Sequence, residues 1–198
     1  MKRNTIVIAA LLVAFAAGGA YYSSMSSHTV VEVDHGENHM TQPEPEPLII
    51  PQAEQIAALE RQFITDMIPH HEEAVVAAQQ LLAAGTSNAE VRKLATDIVK
   101  TQKAEIASMK EWHVAWYGEV YKNTGTYEPM MRNLSTLSGV ERDKAFLEDM
   151  VEHHLHALNM LQASAPQFVR PELRELSQNI ASSQSNEVVA MKILLQQI

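Results

Sequence analysis

An all-α chain, an antiparallel four-helix bundle made of two repeated helical hairpins, is what this sequence predicts. Three observations carry the prediction. The block Phe63-Ile64-Thr65-Asp66-Met67-Ile68-Pro69-His70-His71-Glu72-Glu73-Ala74 returns as Phe146-Leu147-Glu148-Asp149-Met150-Val151-Glu152-His153-His154-Leu155-His156-Ala157, with Phe, Asp, Met, both His and Ala coinciding. Each block is followed by a second matching segment, Gln102-x-x-Glu105-Ile106-x-x-Met109-Lys110 and Gln184-x-x-Glu187-Val188-x-x-Met191-Lys192. No stretch shows the sustained alternation of a strand. Two copies of one hairpin make four helices, with the longer connection joining the halves.

The elements follow in order. The first helix opens after Pro51 and stops at Gly85, a residue suited to the left-handed position past a helix end. Ser87-Asn88-Ala89-Glu90 reads as a capping box for the second helix, which runs to about Lys122, ahead of Asn123, Gly125 and Pro129. The connection spans Asn123 to Leu137. Ser138-Gly139-Val140-Glu141 is a second capping box, and its helix ends near Ser164, before Pro166. Pro171 suits the first position of the last helix. Pro69 removes the amide that would bond to the Thr65 carbonyl, so a kink or opening is expected just before His70. That kink either opens a site to solvent or is a tolerated irregularity.

Ahead of the bundle (51–198) stand two further segments. Lys2 and Arg3 precede an apolar run from Ile6 to Ala20 that ends in small residues, which describes a secretory signal over 1–20. The run is short of the ~20 residues of a membrane span; an uncleaved N-terminal anchor is the alternative, and the only route to membrane association. Residues 21–50 hold no Lys or Arg, and Pro43-Glu44-Pro45-Glu46-Pro47 reads as an extended acidic tether. Its His28, His35, His39 and Met40 are read as bystanders, with a loose metal-collecting arm as the sharper alternative. The body is expected to be exported, to a periplasm or beyond.

Composition narrows the chemistry. The 198 residues carry 15 Lys+Arg against 24 Asp+Glu, a formal charge of −9, which argues against nucleic acid as a partner. Cysteine is absent, removing disulfides, thiolate metal sites and cysteine nucleophiles together. What stands out instead is 10 Met and 9 His.

At ~100° per residue, the second helix buries Leu94, Ile98, Gln102, Glu105, Met109, Trp112 and Trp116, and the fourth buries Leu176, Ile180, Gln184, Glu187, Met191 and Leu194. A Gln and a Glu interrupt an apolar face at the same place twice. The first helix's stripe is Ile56, Leu59, Phe63, Met67, His70, Ala74 and Leu81; the third's is Phe146, Met150, His153, Ala157 and Met160. With the first turn centred near residue 86, Met67 stands level with Glu105 and His70 faces Gln102. A polar layer of imidazole, thioether, carboxylate and amide is therefore expected mid-bundle. Such groups are unfavourable in a core unless paired or binding something.

Met67, His70 and His71 occupy i, i+3 and i+4, and so share one helix face. Met150, His153 and His154 repeat the arrangement. Because His70 and His71 diverge by about 100°, only one can point along a given radius. His156 with Met160 and Met109 with His113 add further i, i+4 pairs. Thioether and imidazole without thiolate select a soft or borderline ion: Cu(I) first, Ag(I) as its mimic, Cu(II) through the histidines. A lone Met on a helical stripe is ordinarily core filling, and a lone buried His is ordinarily hydrogen-bonded, here to Glu105 or Glu187. Met-x-x-His-His occurring twice opposite Gln-x-x-Glu is hard to explain as packing. Met25, Met130 and Met131 receive no such assignment.

These residues resemble the CopM-like periplasmic copper-binding family, ferritin-like bundles classed as a domain of unknown function. The shared pattern is Phe-x-x-x-Met-x-x-His-His-x-x-Ala followed by Gln-x-x-Glu-x-x-x-Met, found here at Phe63–Ala74 with Gln102–Met109 and at Phe146–Ala157 with Gln184–Met191. The resemblance implies copper, and silver, bound through Met67, His70, His71, Met109, Met150, His153, His154 and Met191. His156, Met160 and His113 lie outside the shared pattern and stand as additional candidates. The implied role is a non-enzymatic metallochaperone or buffer in copper homeostasis or resistance, handing copper to an exporter or cuproprotein. A ferritin-like metal oxidase would need Glu-x-x-His on two helices, which the bundle lacks. A haem protein with Met/His axial ligands fits poorly with several such pairs and few aromatics. The structural alternative is a metal-independent envelope adaptor.

Overall fold

The computed structural model describes residues 52–123, 125 and 127–198. The readings of residues 1–20 as a signal and 21–50 as a tether lie outside the described residues. Four helices follow one another: α1 (Gln52–Ala84), α2 (Ala89–Tyr117), α3 (Gly139–Ser164) and α4 (Pro171–Leu195). Short 3-10 turns stand at Leu134–Thr136 and Ala165–Gln167. Among the described residues none forms a strand, and no helix is long and apolar enough to cross a membrane. The protein is an all-α four-helix bundle. In it α1 packs mainly on α2 and α3, α3 packs on α4, and α2 meets α4 over a smaller contact.

The ends show why each helix starts and stops where it does. Gly85 adopts φ +82° and returns its N–H to the Leu81 carbonyl at 3.0 Å, closing α1 as expected. The cap of α2 is Asn88, not Ser87: its side chain accepts from the amides of Glu90 and Val91 at 3.0 and 3.2 Å. An Asn oxygen reaches two of the amides a helix leaves unpaired at its start, a geometry that does not need the box. At the other end, α2 stops at Tyr117 rather than near Lys122. Gly118 takes φ +70° and donates to the Val114 carbonyl at 2.9 Å. Glycine makes the left-handed position accessible, which ends the helix before the expected breakers at Asn123 and Pro129.

Ser138 precedes α3 as predicted, in extended conformation, but its hydroxyl makes no capping bond. The second capping box is therefore one of position only. Pro171 does open α4, and the free amides there are met from α1. Fully buried Glu60 accepts from Val169 N at 2.8 Å and Arg170 N at 3.0 Å, and pairs with the Arg170 guanidinium. That guanidinium lies 4.5 Å over the Trp116 ring. One carboxylate from the first hairpin thus caps the last helix of the second.

Pro69 sits inside an unbroken α1, and both it and His70 are buried. At His70 the helix is continuous and closed to solvent in this structure. The connection between hairpins is anchored rather than slack. Leu134 is buried in the core, and Arg132 binds Asp149 and Glu148 with Nε–Oδ1 and Nη2–Oε2 distances of 2.8 and 2.9 Å.

The core has two apolar clusters. One gathers Ala74–Leu81 positions of α1 with Leu94, Ile98, Phe146, Met150, Val188 and Met191. The other gathers Phe63, Ile64, Met67, Met109, Ala157, Leu161, Leu173 and Ile180. Between them every helix contributes polar groups: His70 and His71, Gln102 and Glu105, His153 and His154, Gln184 and Glu187. The polar layer expected from the sequence divides the core in the middle.

Candidate metal centre

Each hairpin supplies the layer in the same way. His71 Nε2 lies 3.0 Å from Glu105 Oε2, and His154 Nε2 lies 2.6 Å from Glu187 Oε2. A carboxylate only accepts, so Nε2 carries the proton in both rings. The Nδ1 lone pairs of His71 and His154 are thereby left free, and both atoms are buried with no hydrogen-bond partner. This is how a neighbouring carboxylate orients an imidazole for a metal: it fixes tautomer and ring and raises the basicity of the opposite nitrogen.

The register differs from the sequence-based expectation. Glu105 meets His71 rather than Met67, because the α1–α2 turn centres about half a helical turn later than residue 86.

The other two histidines face across the hairpins. His70 and His153 have ring centroids 3.7 Å apart at 34°, joining α1 to α3. Neither nitrogen of His70 has a partner. His153 Nε2 is 3.4 Å from Glu73 Oε2, within ion-pair distance but outside hydrogen-bond geometry. All four motif imidazoles are 0% exposed. Consecutive histidines thus serve different neighbours, the ~100° divergence sending one to the partner helix of its own hairpin and one to the other hairpin.

Electrostatics disfavour a charge on three of the rings. Burial, then the nearby rings of His153, His71, His156 and His154, push the His70 pKa far below its ordinary value. Burial lowers His153 and His154 too, against the opposing pull of Glu73 and Glu187 respectively. Burial alone would raise Glu73, but His153, the Tyr127 hydroxyl and the Met131 amide together hold it down to about 2. Tyr127 donates to Glu73 Oε2 at 2.6 Å, and the amides of Met130 and Met131 reach Oε1 at 2.8 and 2.9 Å.

The four motif methionines, Met67, Met109, Met150 and Met191, are all 0% exposed and border the layer, two in each apolar cluster. Gln102 and Gln184 are buried with both amide atoms unpartnered. His156 is exposed but stacks on His70, centroids 5.2 Å apart at 22°. Met160, one turn on, is partly buried. His113 does not join the layer. It sits about 12 Å along α2 from Glu105 at 1.5 Å per residue, its Nδ1 2.7 Å from the Glu119 carbonyl and its ring edge-on to Tyr117 and Tyr121. Among the described residues, no three His, Asp or Glu side chains are grouped so that they could hold an ion.

Two participants escaped the sequence analysis, Glu73 and Tyr127. Glu73 had a visible signal: it stands where the second copy has His156, a break in the repeat beside the His-His pair. Tyr127 had none, since it reaches the layer from the connection.

The family model "Domain of unknown function (DUF305)" matches residues 19–113 and 60–195. Overlapping matches are expected where one hairpin occurs twice. Among solved structures, the chain is similar to CopM in the Cu(I)-bound form, at 31% identity with a TM-score of 0.63, covering 70% of this chain and 96% of that one. CopM in the Ag-bound form obtained by soaking is 30% identical over the same shares, with a TM-score of 0.62. A DUF305 fragment from Deinococcus radiodurans is 27% identical, with a TM-score of 0.62, covering 75% of this chain and 98% of its own. Comparison with curated proteins finds no match. With a family match over most of its length and a structural relative above 30% identity, the chain belongs to the DUF305 family.

Proposed function

We propose that this protein binds Cu(I), and Ag(I) in its place, between its helices, and serves as an exported copper chaperone or buffer. One observation carries the reading: four fully buried imidazoles, brought together by a repeated motif, present nitrogens that nothing in the protein pairs. A buried unpaired polar group costs about 1–3 kcal/mol. Ligands are the physical reason to retain several of them in one layer. Burial favours the neutral ring, which is the metal-binding form. The bordering thioethers of Met67, Met109, Met150 and Met191 supply the soft donors that favour Cu(I) over harder ions. The similarity to CopM, whose structures are described in Cu(I)-, Cu(II)- and Ag-bound forms, supports copper and silver as the cargo.

Sites without thiolate hold Cu(I) reversibly, which suits delivery to an exporter or cuproprotein rather than permanent storage. Nothing in this reading requires catalysis. Export rests on the charged start and apolar run at Lys2–Ala20, and N-terminal sequencing of the mature protein from an envelope fraction tests it; a chain still beginning at Met1 would indicate an anchor. The binding test is anaerobic Cu(I) titration against a competing chelator. Met67→Ala/His71→Ala and Met150→Ala/His154→Ala should each lose bound Cu(I). If both titrate like the unsubstituted protein, the layer is not the site. The adaptor alternative separates cleanly, because tight native-state binding raises the melting temperature, whereas an adaptor melts alike with and without Ag(I).

A further inference from the structure

The face between α1 and α3, beneath the connection, carries a groove of about 570 Å³ lined by Asp66, Tyr127, Glu128, Met130, His156 and Met160. Two thioethers and an imidazole are among the side chains that line it. Met130 is 40% exposed, so its thioether is open to solvent at the groove. Its position is held, because the amides of Met130 and Met131 are both bound to Glu73 Oε1. His156 and Met160 are one turn apart on α3 and so share a face.

The groove abuts the buried layer. His156 stacks on His70, and Tyr127, which donates to Glu73, stands edge-on to His70 with centroids 6.0 Å apart. An ion held by His156 is thus one imidazole from the unpartnered nitrogens of His70. The donor set is not a by-product of the repeat. The positions equivalent to His156 and Met160 in the first copy are Glu73 and Ala77, so the first hairpin has no counterpart. Asp66 and Glu128 also line the groove, but among the described residues they form no group of three with His156 that could hold an ion.

We propose that Met130, His156 and Met160 form a surface site that acquires Cu(I) and passes it to the buried layer through His70. The inference rests on the copper-binding reading above. The ligands exchange without redox change: the ion leaves the groove donors as a lone pair of His70 takes it up, remaining Cu(I) throughout.

The test is carried out on the purified full chain with ¹³C-methyl-labelled methionine, titrated with Ag(I) and followed by NMR. Met130 and Met160 methyls should shift with Ag(I), and should still do so in a His70→Ala/His153→Ala variant whose layer is impaired. Stopped-flow transfer of Cu(I) from a chromophoric chelator then measures loading. Met130→Ala/Met160→Ala should load about tenfold more slowly, as expected when a site that raises the local ion concentration is lost, while the Met67, Met109, Met150 and Met191 methyls still shift at equilibrium. Met130→Ala alone, at an exposed position, serves if the double variant misfolds, and should slow loading in the same direction. Groove methyls that stay put while the buried methyls move would overturn this proposal and leave the layer standing. Unaltered loading in the variants would overturn the acquisition role. Buried methyls that stay put would instead overturn the copper-binding reading.

Discussion

The two hairpins carry the same Met-x-x-His-His motif, yet their inner histidines keep different company. His71 and His154 are equivalent in sequence and in structure, each with its Nε2 on a glutamate of its own hairpin, at 3.0 and 2.6 Å. His70 and His153 are equivalent in sequence only. His153 has Glu73 at 3.4 Å, whereas His70 has the stacked ring of His156 and no acceptor. One exchange within the repeat, Glu73 against His156, makes the difference. The lesson is that contacts within a hairpin are duplicated along with it, while contacts across the interface are free to diverge.

The largest expected effect is on pH dependence. His70, His153 and His154 are all lowered in the folded protein, chiefly by burial, against an ordinary value of 6.5. Below that value the unfolded chain takes up protons that the folded one refuses. The stabilisation is therefore complete above pH 6.5 and is lost as pH falls, by up to about 1.4 kcal/mol per unit for each histidine. Urea unfolding of the metal-free protein at pH 7.5 and 5.5 measures it. His70→Leu should remove more of this acid sensitivity than His153→Leu, because Glu73 partly supports a charge on His153. Equal effects would mean the asymmetry has no electrostatic consequence.

Next in size come the paired glutamates. Glu105→Gln and Glu187→Gln should each weaken Cu(I) binding by about 10–100-fold, the usual result of losing a group that orients a ligand. Competition titrations should find the two variants alike, since the His–Glu contact is repeated. A large inequality would show that the hairpins do not bind equivalently.

Glu73→Gln sharpens the contrast on the structural side. It weakens the hydrogen bonds from Tyr127, Met130 and Met131 as well as the contact to His153, and should cost about 1–3 kcal/mol of stability. His156→Gln, the matching change in the other copy, removes no buried hydrogen bond and should stay within about 0.5 kcal/mol. Chemical denaturation of the metal-free proteins compares them directly.

The smallest effect concerns the amides. Gln102→Leu and Gln184→Leu replace unpartnered buried groups with apolar ones, and each should raise metal-free stability by up to about 1 kcal/mol. Destabilisation would indicate that water or a neighbouring group already satisfies them.

Much of the bundle was legible because helices announce themselves locally. Gly85 and Pro171 mark their boundaries through backbone chemistry that needs no tertiary partner. Gly118 ends α2 ahead of Asn123, Gly125 and Pro129, because a glycine able to take φ +70° closes a helix without any proline or Asn. The Ser138 box failed because its hydroxyl makes no cap bond, and nothing in the residue order signals that. Glu60 illustrates a different blindness: it looks like a surface residue on α1, and only packing brings it to the start of α4.

For the layer, sequence alone determined that a Met and two His lie on adjoining faces of one helix, twice, and that Gln and Glu interrupt the facing stripes. Helical periodicity settles those relations because it depends only on spacing along the chain. Which histidine meets which partner was decided by the tertiary structure. Pairing depends on the register between helices, which a turn shifted by two residues changes by half a helical turn, and on groups such as Glu73 and Tyr127 that arrive from outside the motif.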